Sequence, residues 1–105
     1  MEELAKKHLD HKVAKQNLAE RAEQSLTFAY NGGLFKITPE FISFISLFDE
    51  GDYPFMVVKD AYGNPVKIES VSEFFDMMKK RYHEVMNDWH SEYEELRKVR
   101  RAEQL

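Results

Sequence analysis

No cysteine occurs among the 105 residues, which excludes disulfides, thiolate nucleophiles, iron–sulfur clusters and cysteine-bearing zinc ribbons. Glycine and proline are scarce, at four and three. Average usage would give roughly a dozen together in a chain of this length, so turns are few and helix is favoured. Long apolar runs are missing as well. The richest stretch, Phe41 to Phe48, is broken by Ser43 and Ser46 and falls far short of the roughly 18 residues a membrane helix needs. The first fifteen residues carry charges throughout, where a secretory signal requires about 7–15 uninterrupted apolar positions. The expectation is a cytoplasmic protein with no membrane contact. Nor is there an excess of positive charge: fifteen Lys and Arg against nineteen Asp and Glu leave −4, which disfavours broad binding to nucleic acid or anionic lipid.

What is present fits one domain, 1–105, in three segments. Residues 1–23 hold five acids and five bases without Gly or Pro, and their Ala, Lys, Glu, Gln and Leu lose little side-chain entropy in a helix. The apolar stripe of this helix is thin, comprising Ala5, Leu9, Val13, Leu18 and Ala22, so it must lean on another element. Residues 24–69 form a β-rich core. Leu26, Phe28 and Tyr30 alternate with smaller residues, and Asn31-Gly32-Gly33 supplies the positive-φ positions of a hairpin turn before Leu34-Phe35-Lys36-Ile37. A second hairpin runs from Phe55-Met56-Val57-Val58-Lys59 through Asp60–Asn64 to Pro65-Val66-Lys67-Ile68. Between the hairpins, Thr38-Pro39-Glu40 reads as a helix start, with Phe41, Phe44, Ile45 and Phe48 at helical spacing. The β-rich composition of the same stretch leaves a strand as the alternative over 39–48.

Residues 70–103 carry the strongest local signal. Ser70-Val71-Ser72-Glu73 is a capping box. Val71, Phe75, Met78, Tyr82, Val85 and Trp89 follow at alternating steps of four and three, and Tyr93 and Leu96 resume the spacing after one extra residue. At 1.5 Å per residue the helix exceeds the width of the remaining domain. Its distal half must pack on the first helix, on a partner chain, or on both. The predicted fold is α+β: an N-terminal helix, a small antiparallel sheet of two hairpins and a long C-terminal helix.

Chemistry-bearing constellations are weak. His8 and His11 lie three apart with Asp10 between them, and His83 and His90 seven apart beside Glu84 and Asp88, yet a set of four ligands is assembled nowhere in the sequence, so no metal or cofactor is expected. Phosphate-cradling, nucleophile-elbow and zincin motifs are all missing. No catalytic residue is assigned and the chain is expected not to be an enzyme. Phe75, Met78, Tyr82, Val85, Trp89, Tyr93 and Leu96 form instead a candidate interface between copies, because so many large side chains on one helix call for more burial than a small domain supplies. Arg97, Lys98, Arg100 and Arg101 with the neighbouring aromatics give the competing possibility of RNA binding. Against it, Glu92, Glu94 and Glu95 stand just upstream, and cations suit a helix C-terminus without any ligand.

The phrases AYNGGLFKITPEFISFI, DAYGNPVKI and WHSEYEELRKVRR resemble small uncharacterised proteins of marine tailed cyanophages and the ocean metagenome, over most of the chain. Some ocean-metagenome proteins of that kind are similar in fold to Sm/LSm proteins, bent small β-barrels that assemble into rings. The resemblance implies a phage-encoded protein acting in a bacterial host's cytoplasm, with an Sm-like RNA binder as the alternative function. The long final helix departs from an Sm core. The Asp-x-x-Met-Asn and Arg-Gly loops through which Sm proteins hold RNA are absent, so the resemblance assigns RNA to no residue.

Overall fold

The computed structural model describes residues 2–104, with side chains over 9–101. Helix α1 spans Glu2–Ser25, strands β1 and β2 span Thr27–Tyr30 and Gly33–Lys36, and helix α2 spans Pro39–Glu50. Strands β3 and β4 follow at Met56–Lys59 and Pro65–Ile68, and helix α3 at Val71–Gln104. The α+β architecture is the one predicted. Each hairpin is its own antiparallel two-stranded ladder, with Phe28 opposite Phe35 in the first and Val58 opposite Val66 in the second.

Local chemistry explains each boundary. Asn31 and Gly32, at φ 47° and 80°, are the two positive-φ positions of the first turn, as a two-residue hairpin of this kind requires. Gly33, expected to share that role, is instead the first residue of β2. There a Cβ would lie 2.6 Å from Val66 Cγ2 and 3.2 Å from Asp60 Oδ2, so glycine lets the hairpins touch. Residues 39–48 are helical. The Thr38 hydroxyl accepts from the Phe41 amide at 3.1 Å, and Pro39 opens the helix. At α3 the Ser70 hydroxyl accepts from the Glu73 amide at 3.3 Å. This is one half of the predicted box; the return bond from the Glu73 carboxylate is not formed among the described hydrogen bonds.

Asp60 joins the two hairpins. Its carboxylate, 8% exposed, accepts from the amides of Tyr62 and Asn64 in its own turn and from Leu34 in β2, at 2.9–3.1 Å. The Leu34 carbonyl in turn accepts from the Ala61 amide at 2.7 Å. The outer edge of β2 is thereby covered by a turn rather than left open. The Asn64 amide, with those of Leu34, Tyr62 and Gly63, holds the Asp60 carboxyl below its ordinary value of 3.8 against the opposing effect of burial.

The core lies where both hairpins, α2 and the first two turns of α3 meet. Phe35, Ile37, Ile45, Val58, Ile68, Val71, Phe74 and Met78 are buried there. Phe74 is its hub: Phe28, Tyr30, Phe35 and Phe41 all meet its ring edge to face, with centroids 5.1–6.3 Å away. The seam expected from the sequence runs through Phe75 and passes over Phe74. Phe75 is half-buried, with the Lys79 ammonium 4.1 Å above its ring, because the three-residue step from Val71 to Phe74 and not the four-residue step to Phe75 faces the hairpins.

Beyond this head, α1 and α3 run antiparallel as an arm. The molecule measures 60 × 24 × 17 Å, with a radius of gyration of 18.7 Å, where a compact chain of this length would have about 13 Å. Among the described residues no helix is long and apolar enough to cross a membrane.

Candidate interaction surface

The arm is held by few large side chains. From α1, Leu18 and Ala22 are buried, while Ala14 and His11 are half-buried one and two turns earlier. Leu9 and Val13, expected in the apolar stripe, point to solvent at 58% and 46% exposure. They lie roughly a third to a half turn of the helix away from the Leu18–Ala22 face, at 100° per residue. Ala5 and His8 lie outside the residues whose side chains are described. Polar links reinforce the pairing. Arg21 reaches Glu92 at 3.6 Å, and the Arg81 guanidinium donates to the Ser25 carbonyl at 3.3 Å. Arg81 thus supplies the cation that the last turn of α1 lacks.

With such small residues facing it, α3 is incompletely covered. Of the expected interface residues, Met78 and Val85 are buried within the chain itself. Phe75, Tyr82, Trp89, Tyr93 and Leu96 are half-buried and keep part of their surface. Met86, which the seam did not include, joins them. A hollow of about 620 Å³ opens at the head end of the arm, between Leu26, Ile37, Tyr82, Met86 and Trp89. A second, of about 290 Å³, lies further along, lined by Lys15, Ala19, Met86, Trp89, His90 and Tyr93. Met86 and Trp89 border both, so the two are parts of one apolar groove on one side of the arm. The missed signal was the four-residue step from Tyr82 through Met86 to His90, which adjoins the seam and widens it.

The other candidates are local. His83 contacts the Asn87 amide at 3.1 Å and His90 lies 3.9 Å from Glu94; among the described residues no three metal-ligating side chains come together. Arg97 and Lys98 pair with Glu94 and Glu95 one turn earlier, at 3.1 and 3.4 Å, while Arg100 and Arg101 are exposed. Asp60, the buried carboxylate, has both oxygens occupied by backbone amides, an arrangement suited to holding a turn and not to taking a proton. Compared with known proteins, the chain matches no family model, no curated protein and no solved structure.

Proposed function

We propose that this chain is a non-enzymatic assembly protein that associates with itself through the arm of α1 and α3. The observation that carries the reading is the open apolar groove around Trp89: a tryptophan, a methionine and two tyrosines line one side of the arm and are half-buried. Aromatic and methionine side chains of this kind are enriched where proteins meet. Asp60 supports the non-enzymatic part, since its lone pairs are engaged structurally. RNA binding through Arg97, Lys98, Arg100 and Arg101 is the weaker reading, because two of the four cations are already neutralised by glutamates of their own helix.

Light scattering behind a sizing column tests the proposal. More than one chain per particle is expected at micromolar concentration. Trp89→Ala should weaken association by about 2 kcal/mol, roughly 30-fold in the dissociation constant, with circular dichroism showing that the chain still folds. A wild-type monomer would sink the reading. Tight, salt-sensitive binding of single-stranded RNA, lost when the four basic residues become Gln, would replace it with the RNA reading.

A further inference from the structure

We infer that the occupant of the groove is the same groove of a second copy, the two arms packing antiparallel about a two-fold axis beside Ala19 to form a four-helix bundle. This rests on the self-association proposed above and specifies its partner and geometry. The groove is elongated along the helices, its two hollows joined at Met86 and Trp89, a form that suits another helix pair better than a compact small molecule. Ala19 lines its distal hollow, and a small residue there lets a facing helix approach to the usual 8–10 Å between axes.

Charge selects the orientation. Lys15 lines the distal hollow and Glu23 the head-end hollow, each exposed and each four residues from Ala19 on the same face of α1. A two-fold axis crossing the arm at Ala19 exchanges these positions. It sets Lys15 of each copy against Glu23 of the other, twice per dimer, with Glu20 adjoining. On α3 the same axis falls between Met86 and Tyr93, so the thioether of each copy meets the partner's tyrosine ring, a favourable sulfur–aromatic contact. Trp89 and His90 stand nearest the axis, and Glu94 lies 3.9 Å from His90. Lys36 on β2 is the cation at the head end of the groove, set off from the α1 face that carries the charge pairs. Such an interface is self-complementary and closes at two chains instead of propagating.

Charge reversal at Lys15 and Glu23 tests this geometry in the full chain. Lys15→Glu alone places Glu against Glu twice, and Glu23→Lys alone places Lys against Lys twice. Each variant should therefore dissociate at least tenfold more readily than wild type. Mixing the two single variants restores opposite charges at both contacts and should give a heterodimer near wild-type affinity, read by light scattering and native mass spectrometry. Single variants that stay dimeric, or a mixture that stays monomeric, would overturn the two-fold axis at Ala19 while leaving self-association standing. A monomeric wild type that binds an apolar dye in the groove would overturn both.

Discussion

At the scale of single residues, Gly33 and Asp60 fix how the hairpins meet, and neither role is legible in the sequence, although the turn beside Gly33 is. The Asn31-Gly32 turn follows from residue types that tolerate positive φ. Gly33 looks like part of the same signal, but its hydrogen in place of a side chain serves the approach of Val66 from a distant hairpin, which no local pattern encodes. Gly33→Ala should cost about 1–3 kcal/mol through overpacking, seen as a lower thermal midpoint, whereas Ala61→Gly in the exposed turn nearby should change it much less. Asp60 read from sequence as an ordinary turn residue. Because its carboxyl titrates lower in the folded chain than its ordinary 3.8, the stabilisation it provides is complete above about pH 5 and is lost as pH falls through the folded value. Thermal melts from pH 7 to pH 3 should therefore decline less steeply for Asp60→Asn than for wild type, from a lower starting point at neutral pH.

At the scale of elements, caps and period were legible and rotational phase was not. Thr38-Pro39 decided the helix over 39–48 against its β-rich composition, because a hydroxyl acceptor and a proline at the first position satisfy a helix start whatever follows. The α3 seam has its period in the sequence, yet Val71 admits both Phe74 and Phe75 as its next contact, at three and four residues. The choice depends on where the hairpins lie. Phe74→Ala should cost about 3–5 kcal/mol, as expected for emptying a buried aromatic site, and Phe75→Ala clearly less, both measurable as shifts in the urea midpoint. The thin face of α1 was legible as a weakness, and its stripe keeps the expected Leu18 and Ala22 but continues through Ala14 and His11, because Leu9 and Val13 turn away. Helical spacing at 100° per residue already sets Leu9 and Val13 on another face from Leu18 and Ala22; which of the two faces is buried is decided by the position of α3.

At the scale of the whole molecule, the excess length of α3 over the head followed directly from counting residues, and the arm is its physical form. The groove did not follow, since it is built from two helices whose relative rotation is a tertiary fact. The head and the arm also differ in how far along the chain their partners lie. Both hairpins pair within a few residues of their turns, and α2 is capped by its own neighbours. The arm joins the first element to the last, with Arg21 on Glu92 and Ser25 on Arg81. Closing so long a loop is slow and rewarded late, and regions with little buried apolar area open without global unfolding. The exchange of backbone hydrogens for deuterium should accordingly follow a gradient. Amides of β2, α2 and the start of α3 would be protected the longest, while those of α1 before Leu18 would exchange first and slow down as protein concentration rises and a second arm covers them.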